Sequence, residues 1–151
     1  MVQWTPKYHG QLTITAIDRQ GNRFIYDTPN LLMYGAAVSC SHVLLGETDY
    51  AATYIAFGSS NTAPVRGDTA LGTEVYRKTL PTPGFPQVLG LEIGQVQFGI
   101  LLDFSEANGF TLQEAGLYAS NTTLLLARQI HAAIVKDSNF QLEYRWRIIF
   151  T

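Results

Sequence analysis

The segment Gln141-Leu142-Glu143-Tyr144-Arg145-Trp146-Arg147-Ile148-Ile149-Phe150 constrains the fold more than any other part of this sequence. Leu142, Tyr144, Trp146, Ile148 and Phe150 fall at every second position and face one way. Gln141, Glu143, Arg145, Arg147 and Ile149 face the other. Only an extended chain puts successive side chains on opposite sides, so the pattern requires a long, half-buried antiparallel strand. Such a strand cannot stand alone, because its backbone edges and its apolar face both need neighbours.

The rest of the chain supplies them. Val96, Phe98, Ile100, Leu102 and Phe104 repeat the same period opposite Gln95, Gln97, Gly99, Leu101 and Asp103. Leu12, Ile14 and Ala16 alternate with Thr13, Thr15 and Ile17. Asp18-Arg19-Gln20-Gly21-Asn22 then provides a turn, and Phe24-Ile25-Tyr26 returns as a second strand. Tyr54-Ile55-Ala56-Phe57 forms a short buried strand ending at Gly58, and the small and polar residues from Ser59 to Thr69 form a loop. Asn108-Gly109 signals a tight turn, and Glu114 to Ala119 resumes an apolar strand. Thr123 to Val135 is apolar on both faces, with a break expected near His131. Leu71 to Lys78 fits a helical turn or an edge strand equally well. Pro81, Pro83, Gly84 and Pro86 exclude a central strand or a helix interior from Leu80 to Gly90.

One segment departs from this pattern. Asn30, after Pro29, is placed to cap a helix running through Cys40, with Leu31, Tyr34, Val38 and Leu45 on helical spacing and Gly46 to end it. The small residues around Gly35 predict a close approach to another element. The expected fold is all-β, a mainly antiparallel β-sandwich or jelly-roll-like domain with one short helix near residues 30–45. One domain covers residues 1–151, with an extended N-terminal arm (1–10) and a Pro-rich loop (80–90).

Charge is scarce. Ten Lys and Arg and twelve Asp and Glu make 15% of 151 residues, where roughly 25% is usual for soluble domains. Eight Phe, eight Tyr and two Trp stand beside them. Interfaces shed charge and gather aromatics, so neighbouring subunits are expected to cover much of the outside. A net charge of −2 leaves no cationic excess for phosphates, and no nucleic-acid partner is expected. One cysteine makes neither an internal disulfide nor a thiolate metal site. Met1 to Lys7 lacks the basic start and apolar stretch of a signal peptide. The longest apolar run, Leu31 to Leu45, contains Ser39, Ser41 and His42 and is too short to cross a bilayer. The expectation is a soluble chain with no membrane partner.

Catalytic chemistry finds no foothold. His9, His42 and His131 lie in different elements without metal-ligand spacing, and Cys40 acts as a small hydrophobe in the helix. Glu92, Asp103, Glu106 and Glu114 are close in sequence, but Asp103 and Glu106 border a turn, where solvated carboxylates are common. Phosphate loops, nucleophile elbows and dinucleotide fingerprints are all missing. The expectation is therefore no enzyme, no catalytic or metal residue and no cofactor. Arg66-Gly67-Asp68 is turn chemistry rather than an adhesion signal, and the sequon Asn121-Thr122-Thr123 is silent without secretion.

Glu114 opens an apolar strand and must find a partner. Arg77 and Arg128 are the candidates for an ion pair internal to the fold, fixing loop to strand. The candidate interface residues are Trp4 and Tyr8 in the N-terminal segment, Phe85 in the Pro-rich loop, and Arg145 and Arg147 on the outward face of the final strand.

These segments also occur in a telling order. Asn30-Leu31-Leu32 is followed by Tyr54-Ile55-Ala56-Phe57-Gly58-Ser59-Ser60-Asn61-Thr62-Ala63-Pro64, then Gly67-Asp68-Thr69-Ala70-Leu71, Glu74 and Arg77-Lys78. Glu114-Ala115-Gly116-Leu117-Tyr118, Leu125-Leu126-Ala127-Arg128 and the closing aromatic strand complete the set. From Asn30 onward the chain resembles small structural virion proteins of tailed bacteriophages. The resemblance implies a component of the tail, neck, baseplate or fibre-attachment region, made in the host cytoplasm and built into the virion. Its partners would be copies of itself and other virion proteins, in a homo-oligomeric ring or sheath. It transfers no catalytic residues. Residues 1–29 and the Pro-rich loop lie outside the recognised pattern. A rival reading is a receptor- or carbohydrate-binding module of a tail tip or fibre, with exposed Tyr and Trp stacking on sugar rings.

Overall fold

A computed structural model describes residues 8–81, 87–88, 94–119 and 124–150. The chain order is β1 (Tyr8–Asp18), β2 (Arg23–Leu32), α1 (Tyr34–Leu44), a 3-10 turn at Thr48–Tyr50 and β3 (Ala52–Gly58). β4 (Glu74–Thr79), β5 (Gln87–Val88), β6 (Gly94–Leu102), β7 (Thr111–Ala119), β8 (Leu124–Val135) and β9 (Phe140–Phe150) follow. The fold is all-β with one α-helix among the described residues. The strands lie in the order β4-β3-β7-β8-β2-β1-β9-β6-β5, and every pairing is antiparallel.

The alternating segment is β9. It lies between β1 and β6 and pairs with both along almost its whole length. Leu142, Tyr144 and Trp146 are fully buried on one face, and Arg145 is exposed on the other. The sheet folds over on itself. Four strands separate β3 from β9 in the order, yet the Phe57 ring meets Tyr144 edge-on at 4.8 Å. Leu12, Ile14, Ile100, Leu102, Leu112 and Leu117 fill the space between the two halves. Those halves share β2, which joins β8 through only two residue pairs, Leu31 with Arg128 and Leu32 with Ala127.

The helix departs from expectation in its start. Asn30 does not cap it, because β2 continues through Asn30 to reach its β8 pairing. α1 begins after Met33 with no side-chain cap. Its buried side is the small one, Ala36 and Ser39, whereas Tyr34, Val38 and Leu45 face outward. Gly35 makes the close approach: a Cβ there would lie 2.2 Å from the Leu125 carbonyl oxygen, so the helix seats directly on β8.

Smaller differences have local causes. β6 ends at Leu102, and Phe104 enters a turn and packs under the Arg19 guanidinium at 4.4 Å. β8 does not break near His131; its register against β7 slips there, between Leu112 and Glu114, as a bulge. The undecided segment after Leu71 becomes the edge strand β4, which pairs only with β3 among the described residues.

Candidate functional site

The sequence motifs meet on the outer face of the β3–β7–β8 half. On β7, Ala115, Leu117 and Ala119 point into the main core, so Glu114, Gly116 and Tyr118 point outward. The loop between β3 and β4 crosses that outward face. Beneath it Met33, Tyr54, Ala56, Leu71, Tyr118 and Leu125 form a second, smaller cluster. The Tyr54 and Tyr118 rings stack at 5.0 Å, and the Tyr118 hydroxyl accepts the Leu71 N–H at 3.0 Å. Burial pushes the Tyr118 phenol up to about 12.

Glu114 anchors the loop. It is 0% exposed, and a carboxylate there must have both oxygens satisfied. Oε1 accepts the N–H groups of Ser60 (3.3 Å) and Thr73 (2.8 Å). Oε2 accepts from Gly72 N–H at 3.1 Å and from Arg128 Nε and Nη2 at 3.0 and 2.9 Å. Arg128 also donates to Asp68 Oδ2 at 2.9 Å and to the Thr62 carbonyl at 3.0 Å. Gly58 has to be a glycine: a Cβ there would sit 2.4 Å from Glu114 Oε1. The arrangement is a clamp that ties fifteen residues of loop, 59–73, to the sheet.

Of the two arginines proposed for Glu114, Arg128 is the partner. Arg77 instead pairs with Glu74 on its own strand at 2.5 Å and lies over the Tyr54 ring. Asp68 is a member of the network that the sequence did not reveal. Its Gly67-Asp68 turn was legible, because Oδ2 also accepts Val65 N–H, but nothing in the sequence pointed from that turn to Arg128.

The second feature is the helix. α1 carries no Asp, Glu, Lys or Arg, and Tyr34, Val38, Val43 and Leu44 are exposed, with Leu45 next to them. Leu44 reaches 88%. Exposed apolar side chains clustered in this way normally mark a surface that a partner covers. Between α1 and the ends of β1, β6 and β9 lies an open groove of about 640 Å³. Cys40, Val43 and Leu44 form one wall, and Tyr8, Val96 and Phe150 form the other. Cys40 is thus exposed in the groove rather than packed in a core.

The candidate interface residues do not converge. Tyr8 lines the groove. Arg145 and Arg147 are on the opposite face of β9, where Arg145 pairs with Glu143 and Arg147 reaches Gln97 Oε1 at 3.4 Å. Trp4 and Phe85 lie outside the described residues, as do Glu92 and the sequon at Asn121. No protein family, curated protein or solved structure matches this chain.

The histidines are dispersed. His42 pairs with Glu47 at 2.7 Å and stacks on Tyr50, and His9 is exposed. His131 is buried beside a further cleft. Its Nδ1 donates to the Ala132 carbonyl at 2.8 Å, and its Nε2 accepts the Tyr144 hydroxyl at 3.2 Å. Burial holds its pKa below the usual 6.5, against the opposing pull of the Ala132 carbonyl and the Glu114 charge. Below about pH 6.5 the unfolded chain therefore binds a proton that the folded chain refuses, and stability falls with pH. Urea midpoints between pH 7 and 5 should show this decline, and His131→Gln should flatten it. An unchanged slope would mean that His131 charges freely in the folded state.

Proposed function

We propose that this chain is a structural subunit of a tailed-bacteriophage virion, in the tail, neck, baseplate or fibre-attachment region, working by protein–protein contact and not by catalysis. The observation that carries the reading is α1, a helix without charge that presents its larger apolar side chains to solvent. Contiguous exposed apolar surface of this kind marks an interaction site, and permanent contacts hide an apolar centre within roughly 1,000 Å² or more. The resemblance of the ordered motifs to small virion proteins supplies the setting, and the partners are other copies and other virion proteins. The sugar-binding alternative is less well supported, because both described clefts are lined almost wholly by apolar side chains, whereas sugar hydroxyls need convergent polar groups.

The test is incorporation into particles. Leu44→Asp combined with Leu45→Asp should leave stability within about 0.5 kcal/mol per site, as surface changes do. Incorporation relative to the wild-type chain should fall at least tenfold. Equal incorporation would remove α1 from the contact, and purified particles lacking the wild-type chain would end the virion reading.

A further inference from the structure

Resting on the assembly reading, we infer that two copies of this chain pair through the outer edge of β2, antiparallel about a two-fold axis at Ile25. The contact joins their sheets into one.

The edge is open because β2 changes neighbours part-way along. Arg23 to Asn30 pair with β1 on one side, but on the other side β2 meets β8 only at Leu31 and Leu32. The turn fixes which backbone groups are left over. Asp18 N–H donates to the Asn22 carbonyl at 3.1 Å, so Asp18 and Asn22 face each other, and the pairs alternate from there. Phe24, Tyr26 and Thr28 therefore bond to β1. Arg23, Ile25 and Asp27 turn both N–H and C=O away from it and have no strand partner among the described residues. The phase agrees at the far end, where Met33 N–H donates to the Leu126 carbonyl of β8 at 2.9 Å. Pro29 shares the outward phase, so its missing N–H leaves the β1 ladder intact.

Sheet edges are normally blunted against association, and this one is apolar. Phe24 is 68% exposed, Ile25 67% and Tyr26 43%. Phe24 stands opposite Ala16 and Tyr26 opposite Ile14, so both rings are on the core face of the sheet. There they border a cleft of about 400 Å³ that Ile134 and His131 of β8 also line. Arg23, Ile25 and Asp27 are on the other face.

The edge is complementary to itself, which selects a second copy as its occupant. An axis at Ile25 places Arg23 opposite the partner's Asp27 and Phe24 opposite the partner's Tyr26, and each pair occurs twice. Arg23 and Asp27 are the only charged residues of β2. Asp27 Oδ1 accepts the Thr13 hydroxyl, which leaves Oδ2 for the incoming guanidinium. Arg23 has no ion pair among the described residues. Each copy donates the N–H groups of Arg23, Ile25 and Asp27 to the carbonyls of the partner's Asp27, Ile25 and Arg23. Ile25 meets its counterpart between two ion pairs on one face, and the aromatic pairs cover each other on the cleft face. Other registers fail on the same residues. An axis at Tyr26 sets Arg23 against the partner's Pro29, which has no N–H to return. An axis at Phe24 sets Asp27 against the partner's Gly21, in the turn.

Charge exchange tests both the contact and its register, by sedimentation and light scattering. The parent chain carries Leu44→Asp and Leu45→Asp, so that α1 adds no contact, and it should dimerise. Arg23→Asp in that chain sets Asp against Asp at both ends of the interface, and Asp27→Arg sets Arg against Arg. Each alone should dimerise at least about tenfold more weakly. Asp27→Lys replaces Asp27→Arg should the latter not fold. An equal mixture of the two should form one-to-one dimers with affinity near the parent's, because every crossing then pairs Asp with a cation. A parent chain that stays monomeric would overturn the β2 contact and leave particle incorporation through α1 untouched. Single variants that dimerise like the parent, or a mixture that stays monomeric, would overturn it as well.

Discussion

Arg128→Met should destabilise the folded chain by roughly 3–5 kcal/mol, the range for leaving one member of a buried ion pair behind. Glu114 would keep three backbone N–H donors but lose both guanidinium contacts, with no solvent to replace them. The loss should spread along the loop, because the same guanidinium holds Asp68 and the Thr62 carbonyl. Residues 59–73 should become cleavable by protease at temperatures where the wild-type chain resists. Adding Glu114→Gln to Arg128→Met should recover part of the stability by removing the stranded charge. Urea unfolding of the two single variants and the double variant measures the coupling. A cost under about 1 kcal/mol for Arg128→Met would show that the clamp is not an ion pair of the buried kind.

Trp146→Ala should cost a similar amount, roughly 3–5 kcal/mol, through the cavity it opens. Trp146 is 0% exposed at the middle of β9, opposite Leu12 on β1 and Phe98 on β6. At this chain length such a loss lowers Tm by on the order of 10 °C. Trp146→Phe should cost much less. The indole Nε1 has no hydrogen-bond partner among the described residues, so replacing it forfeits ring volume without stranding a polar partner. Thermal unfolding of the two variants separates these contributions, and an equal loss in both would point to a bond made by Nε1.

The strands were legible because a half-buried strand writes its two faces directly into the sequence. β9 alternates cleanly, with Leu142, Tyr144, Trp146 and Ile148 the buried ones, whereas β6 also buries Gln97 and Gly99 on its other face. The Glu114 charge was legible for a related reason, since a carboxylate opening an apolar strand has to be answered. The choice between Arg77 and Arg128 was not, because it depends on register: Arg128 stands opposite Gly116, two residues along the same face from Glu114, whereas Arg77 is on β4 beside Glu74. The helix lies within the expected 30–45 stretch but starts later than Asn30 would place it. Helical spacing grouped Leu31, Tyr34, Val38 and Leu45 without saying what covers them, and the small side, with Gly35 and Ala36, is the one that lets the backbone approach β8. Apolar spacing marks a face to be covered and does not say whether the cover belongs to the same molecule.

The position of β9 also bears on how the polypeptide is made. β1 leaves the ribosome early and β6 midway, yet the strand that lies between them is synthesised after both. Until residues 140–150 emerge, each has an open flank where β9 will later dock. Loop closure over so many residues is slow, and unpaired flanks are prone to wrong partners in the meantime. Docking of β9 therefore comes after β1 and β6 have been made, and a nascent chain halted before Phe140 is the form of this protein most in need of a chaperone.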